Sequence, residues 1–182
     1  MAKSLKITLL DYAILGLVYQ RPLTGYAIRK EFELTALGNY SSSPGSIYPA
    51  LKRIQSAQLV DISKLEGQRG GKYRITRNGI HSLRMWLERP LTKEDVSRNL
   101  NELLLRFAFM GGLVSLEIKL AFLTSFQDLL EEHIADLQRY LELERSQLPL
   151  HGRLAFEHGI ASCKATLDWS RYAYSNIKNA SK

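Results

Sequence analysis

The chain has 182 residues, 45% hydrophobic and 24% charged, with a formal net charge of +7. That is enough for one large domain or two small ones with a real core. Its single cysteine, Cys163, excludes an internal disulfide and a cysteine-based zinc site and fits a reducing cytoplasm. No apolar run approaches the roughly 20 residues needed to span a bilayer, so no membrane partner is expected.

The positive charge is unevenly placed. Residues 1–90 hold 14 Lys/Arg against 6 Asp/Glu, a balance of +8, and residues 91–182 hold 11 against 12, a balance of −1. A basic first half suits a polyanion, because each phosphate contact releases condensed counterions. The same balance also describes a surface tuned for solubility, so charge alone does not decide.

The N-terminal stretch is apolar, but Asp11 interrupts it and no small-residue cleavage site follows, so it reads as a buried first helix. That helix is expected from about Leu5 to Gln20, with Ile7, Leu10, Ile14, Leu17 and Val18 at helical spacing and Pro22 beyond its end. Thr24 caps a second helix to about Leu37, with Tyr26, Ile28, Phe32 and Leu34 or Ala36 inward, and Gly38 and Asn39 stop it. Ser41-Ser42-Ser43 leads into Pro44, and a third helix from Pro44 to about Ala57 buries Ile47, Leu51 and Ile54. Its other side shows Ser46, Pro49, Lys52 and Arg53.

Leu59 to Glu66 alternates as a half-buried strand, Gly67 to Gly71 makes a turn, and Lys72 to Thr76 returns with Tyr73 and Ile75 on one face. Thr76 caps a helix to about Arg89, with Ile80, Leu83, Leu87 and Trp86 inward. Pro90 marks the expected boundary between domains at 1–90 and 91–182. Beyond it, Thr92 and Asp95 open a helix through Val96, Leu100, Leu103 and Phe107, which Gly111-Gly112 ends. Leu113, Leu116, Leu120, Leu123, Gln127, Leu130, Ile134, Leu137 and Leu141 then alternate spacings of three and four, a coiled-coil seam on a helix to about Ser146. Pro149 and Gly152 separate it from a last helix, about Arg153 to Lys178. Phe156, Ile160, Cys163, Leu167, Tyr174 and Ile177 form one stripe of that helix, with Trp169 and Tyr172 off it.

The fold class is therefore mainly α: a winged helix-turn-helix with a two-stranded wing, followed by a helical C-terminal domain. In such an arrangement the helix at 44–57 enters the DNA major groove and the turn reaches the neighbouring backbone. The residues assigned to double-stranded DNA are Ser41, Ser42, Ser46, Tyr48, Lys52 and Arg53 on and before that helix, and Lys64, Arg69, Lys72 and Arg74 in the wing. Serines and amides at a helix N-terminus suit phosphate, and Lys52 or Arg53 can reach guanine O6/N7. Gly70 and Gly71 keep the wing tip slim. For Tyr48 the alternative is packing under the helix, and for the charges it is plain solvation.

At SPGSIYPALKRIQSAQLV, followed by a Gly-Gly wing and KYRITRNG, the chain resembles the PadR family of transcription regulators. LDYAILGLVYQRPLTGYAIRKEF is similar to that family's first two helices. FAFMGGLVSLEIKLAFL and the long helix after it resemble the longer C-terminal domain of its virulence-activator branch. Tyr26, Gly45, Tyr48, Pro49, Leu51, Lys72, Tyr73, Thr76 and Gly79 fall at family-like spacing. Gln58 departs from the pattern, which usually has Gly there; a Gly would close the helix with positive φ. The resemblance implies a homodimer held by C-terminal helices, with two winged helices reading an inverted repeat.

The resulting expectation is a cytoplasmic homodimeric regulator, a repressor, whose self-association uses Leu116, Leu120, Leu123, Leu130, Ile134, Leu137, Leu167 and Tyr174. A small-molecule effector would sit in a pocket walled by Trp86 and Phe107, although aromatic residues of this kind more often simply pack. No cofactor is expected. Cys163 on an apolar stripe reads as an inert thiol, and His151 with His158 falls short of a metal ligand set. Residues 67–72 lack the spacing of a phosphate loop. With no nucleophile–base constellation, an enzyme is disfavoured. The rival from another class is a winged-helix module that docks proteins and binds no specific DNA.

Overall fold

The structure is a computed structural model that describes residues 6–35, 43–63 and 71–180. The chain divides into two compact units, Met1–Leu87 and Glu88–Lys182.

The first unit contains α1 (Leu9–Gln20), α2 (Gly25–Leu34), α3 (Pro44–Ser56), β1 (Val60–Ser63), β2 (Lys72–Ile75) and α4 (Arg77–Glu88). Helix α1 starts later than the apolar pattern suggests, because Thr8 and Asp11 form a capping box that satisfies the first free amides. Arg21, extended before Pro22, ends it. Ile28 and Phe32 of α2 are buried, whereas Tyr26 and Leu34, expected inward, are exposed. Each lies two residues from a core position, which on a helix of 3.6 residues per turn is nearly the opposite face. The second half of the expected second helix and its stop signals, residues 36–42, lie outside the described residues.

Helix α3 buries Ile47, Ala50, Leu51 and Ile54. Its end is a Schellman motif: the Leu59 N–H donates to the Ile54 carbonyl and the Gln58 N–H to the Gln55 carbonyl, each at 2.9 Å. That closure needs a left-handed residue, and Gln58 supplies it with φ of 57°. The chain then runs directly into β1, which pairs antiparallel with β2 in the register Val60–Ile75, Asp61–Arg74, Ile62–Tyr73 and Ser63–Lys72. Leu23, ahead of α2, adds a two-bond bridge to Tyr73 that the sequence pattern does not announce.

The Thr76 hydroxyl donates to the Gln58 carbonyl at 2.8 Å and accepts from the Gly79 N–H at 3.0 Å, so one side chain ties the end of α3 to the start of α4. Gly79 is required for close approach: a Cβ there would lie 2.1 Å from the Leu59 carbonyl oxygen. Leu83, Trp86 and Leu87 of α4 are buried as expected. Trp86 stacks on Tyr12 of α1, with ring centroids 4.7 Å apart.

The second unit contains α5 (Lys93–Arg98), α6 (Leu100–Phe109), α7 (Leu116–Glu144) and α8 (Leu150–Asn179). The single helix expected after Pro90 is two helices. Asn99 leaves helical geometry at φ −122° and ψ 30°, ending α5 and preceding α6, although the apolar spacing runs unbroken across it. The Thr92–Asp95 capping box is present, and Ser115 caps α7. Helix α8 starts directly after Pro149, and Gly152 lies inside it rather than ahead of it.

Helices α7 and α8 pack as a hairpin, with Glu131 paired to Arg171 and Tyr140 against Phe156. The seam read from the sequence is partly consumed by this packing. Leu123, Leu130 and Ile134 of α7, with Ile160 and Leu167 of α8, are buried within the single chain. Leu116, Leu120, Leu137 and Tyr174 are half-buried.

Arg106 lies fully buried in this unit. It donates to the Arg89 carbonyl and lies over the Phe122 ring at 5.3 Å. Burial, and then the neighbouring charge of Arg89, push its pKa down to about 10. Arg89 pairs with Asp95 at 2.7 Å.

Candidate DNA interface

The order of elements in the first unit is that of a winged helix: three helices, a two-stranded wing and a closing helix. The candidate surface is best built from α3. Ser43, just outside the helix, accepts the Gly45 N–H, and Pro44 occupies the first helical position, where its missing N–H costs nothing. Burial of Ile47, Ala50, Leu51 and Ile54 leaves Tyr48, Pro49, Lys52, Gln55 and Ser56 on the solvent side. Tyr48, Lys52 and Gln55 are spaced four and three residues apart, as are Pro49, Lys52 and Ser56 at three and four, so the five positions share one face of the helix.

Tyr48 divides its two surfaces. It is 48% exposed, yet its ring edge would lie 3.0 Å from a Cβ placed on Gly25. One side packs against the start of α2 and the other faces outward. Burial, and then the proximity of Tyr48, raise the Tyr73 hydroxyl above its usual value. Lys52 is exposed and has no ion-pair partner among the described residues. Ser46 is half-buried in the first turn.

Arg53 differs from its neighbour. The sequence pattern offers both to DNA, but the Arg53 guanidinium is turned inward onto Asp11 of α1. Nε donates to Asp11 Oδ2 at 2.8 Å and Nη2 to Asp11 Oδ1 at 2.7 Å, and Nη2 also reaches Thr8 Oγ1 at 3.3 Å. Asp11 is 0% exposed and the Arg53 side chain 28%. Hydrogen bonding to Asp11 raises the Arg53 guanidinium above its usual value. The inward turn has a physical cause. A carboxylate buried in α1 requires a cation, and Arg53 lies on the flank of α3 that faces α1.

In the wing, Lys72 and Arg74 are both exposed and alternate with half-buried Tyr73 and Ile75. The strand period therefore puts the two cations on one face. Gly71 is crowded, since a Cβ there would meet Ile62 Cγ2 at 2.3 Å. The remaining assigned residues, Ser41, Ser42, Lys64 and Arg69, lie outside the described residues. Elsewhere in the unit, Arg21 pairs with Glu31, and Arg29 and Lys30 pair with Glu33. Lys52, Lys72 and Arg74 are thus cations of this unit with no acidic partner among the described residues.

Two features were missed from the sequence. Gln55 continues the exposed stripe three residues after Lys52, a spacing that could have flagged it. Asp11 was read only as a break in an apolar run, although Thr8 three residues before it is a capping-box signal.

Trp86 and Phe107, expected as walls of one effector pocket, fall in different units. Trp86 stacks on Tyr12. Phe107 packs edge-on against Trp169, with centroids 5.2 Å apart, and alongside Phe122. Cys163 is half-buried, and burial pushes its thiol up. No cluster of three or more His, Cys, Asp or Glu suited to a metal occurs among the described residues. Among them, no helix is long and apolar enough to cross a membrane.

Comparison with known proteins gives three results. The model of the transcriptional regulator PadR-like family matches residues 14–85. No curated protein matches the chain. Among solved structures, the chain is similar to Bacillus subtilis PadR in complex with operator DNA, at 25% identity over 93% of this chain and 99% of that one, with a TM-score of 0.42. It is also similar to a PadR-like transcriptional regulator from Bacillus cereus, at 22% identity over 94% and 99%, TM-score 0.41. The Vibrio cholerae virulence activator AphA matches at 20% identity over 94% and 99%, TM-score 0.38. With its winged helix and the match over residues 14–85, the first unit is similar to the PadR-like family of transcriptional regulators.

Proposed function

We propose that this protein is a sequence-specific DNA-binding transcription regulator, a cytoplasmic repressor that binds an inverted-repeat operator as a homodimer. The observation that carries the reading is the exposed stripe of α3. Tyr48, Lys52 and Gln55 stand outward on a helix whose other side is core, and Lys52 has no acidic partner among the described residues. Lys52 suits guanine O6/N7, and Gln55 suits adenine N6/N7, once the helix lies in a major groove. Lys72 and Arg74 of the wing suit the phosphate backbone, where they would add affinity without reading sequence.

The proposed dimer uses the second unit. The interior of the α7–α8 hairpin is already filled, so the self-association surface lies among the apolar groups left outside. These are Tyr140, Leu143, Leu150, Leu154, Trp169 and Tyr172, all exposed, with Leu143 at 74% and Tyr172 at 69%. Together with half-buried Leu116, Leu120, Leu137 and Tyr174 they provide more apolar surface than a solvated hairpin needs. A two-fold dimer presents two recognition helices related by the same axis, and so requires a palindromic site. The longer helical second unit is the ground for placing the protein in the virulence-activator branch. A small-molecule effector of the dimer belongs to the same reading; Trp86 and Phe107, the pocket walls expected from the sequence, each have an aromatic partner within their own unit.

The test is selection of bound sequences from a random duplex pool by the full chain. Enrichment of one inverted repeat, with half-sites about one helical turn or a multiple apart, is the expected result. A pool that stays random through successive rounds contradicts the proposal.

A further inference from the structure

We infer that Asp11 and Arg53 are a positioning pair for DNA reading. Their ionic fork fixes the rotation of α3 on α1, and operator discrimination depends on Asp11 although Asp11 cannot touch DNA. The inference rests on the DNA-binding reading above and extends it to a residue on another helix.

The geometry is specific. Both Asp11 oxygens are used, Oδ1 by Arg53 Nη2 and Oδ2 by Arg53 Nε. Oδ2 also accepts the Thr8 N–H at 2.7 Å and the Thr8 hydroxyl at 2.9 Å. The carboxylate is therefore anchored in α1's own capping box before it meets Arg53. Behind it, Ala13, Ile14, Leu15, Leu17 and Val18 are buried, and the adjacent Tyr12 is stacked on Trp86 of α4. Helix α1 is thus a fixed frame within the unit.

Apolar contacts between α1 and α3 bury area but have little directional preference. A planar guanidinium engaged at two points is directional, and it constrains rotation as well as distance. Rotation matters because Lys52 is the residue immediately before Arg53, and Tyr48 and Gln55 share its stripe. Turning a helix by about 15° moves a side-chain tip at a radius of roughly 6 Å by roughly 1.5 Å. Donor–acceptor distances in hydrogen bonds span only about 0.5 Å. A rotation too small to disturb folding therefore removes base-edge contacts. A buried ion pair also contributes little net stability over an apolar pair of similar volume, so direction is what this one adds.

The experiment uses the full-length protein and the duplex that the wild-type chain enriches, with a random duplex as reference. Affinities are measured for Asp11→Asn, Arg53→Gln, their double variant, Arg53→Lys, and the apolar double variant Asp11→Leu with Arg53→Met. Thermal unfolding of each is recorded alongside. The expected result is a loss of preference for the enriched duplex of about tenfold or more in Asp11→Asn, Arg53→Gln and their double, with the double no worse than either single. Binding to random duplex and the slope against log salt stay at wild-type values, since neither residue touches phosphate. Arg53→Lys keeps the charge without the fork and recovers only part of the preference.

The apolar double separates positioning from stability, because it restores packing without direction. It is expected to fold as stably as wild type and still discriminate poorly. Full discrimination by that variant overturns the inference, as does wild-type preference in Asp11→Asn. If Arg53→Gln loses preference or lowers the salt slope while Asp11→Asn does not, Arg53 contacts DNA itself and the pair is not a positioning device. A wild-type chain that enriches no duplex is a separate failure, of the DNA-binding reading, and the inference falls with it.

Discussion

Gln58 shows how one residue joins two elements. It stands in the left-handed region at the position where α3 must turn into β1, and an L side chain there carries a penalty of roughly 1 kcal/mol that glycine avoids. Gln58→Gly is expected to raise stability by about 1 kcal/mol, seen as a rise of about 2–4 °C in the thermal midpoint. Gly79 is the opposite case. Gly79→Ala forces a Cβ against the Leu59 carbonyl, and the expected loss is about 1–3 kcal/mol by denaturant unfolding. Asp95 supplies a pH dependence. Burial works to raise its carboxyl, but the Thr92 hydroxyl and N–H and the Arg89 guanidinium outweigh that and hold it below its ordinary value. A depressed folded-state pKa stabilises above the unfolded-state value of about 4, and that contribution is lost as pH falls through the folded-state value. The stability gap between wild type and Asp95→Asn is therefore expected to be full at pH 7 and to close toward pH 3. A gap that stays constant across that range contradicts the assignment.

At the level of elements, local signals in the sequence located most helices, because caps and breakers act over three or four residues. Thr24, Ser43-Pro44, Thr76 and Thr92 each precede a helix start in the structure. The break at Asn99 escaped because Val96, Leu100 and Leu103 keep their helical spacing across it. The surroundings of Lys52 and Arg53 could not be separated locally either. They are adjacent and both basic, and what distinguishes them is a carboxylate 42 residues earlier. The coiled-coil seam carried a related ambiguity, since heptad spacing shows that a face is buried but not whether the same chain buries it. The hairpin decides this for Leu130, which is 0% exposed. Leu130→Glu is accordingly expected to unfold the second unit rather than release folded monomers. Tyr172→Glu with Leu154→Glu should leave the helical content intact and lower the mass seen by sedimentation. Unchanged mass for that pair removes those residues from the proposed dimer surface.

On the scale of the whole molecule, labour is divided between a basic unit proposed to meet DNA and a near-neutral unit proposed to associate. The charge balances of +8 and −1 in the two halves of the sequence fit that proposal. The winged order of elements was legible because the Gly-Gly wing and its flanking strands are contiguous. The lock between α1 and α3 was not, because it joins distant segments. The central claim is that the outward stripe of α3 reads sequence while the wing supplies electrostatic affinity. The measurement that tests it most directly is binding of wild type, Lys52→Ala, and Lys72→Ala with Arg74→Ala to the enriched and a random duplex over a salt series. Lys52→Ala is expected to lose about 1–3 kcal/mol on the enriched duplex and to relax preference at one position. The wing variant is expected to weaken on both duplexes alike, with its salt slope reduced by about 0.9 for each phosphate no longer neutralised. Equal losses on both duplexes for Lys52→Ala, or a wing variant that binds both as wild type does, contradict the claim.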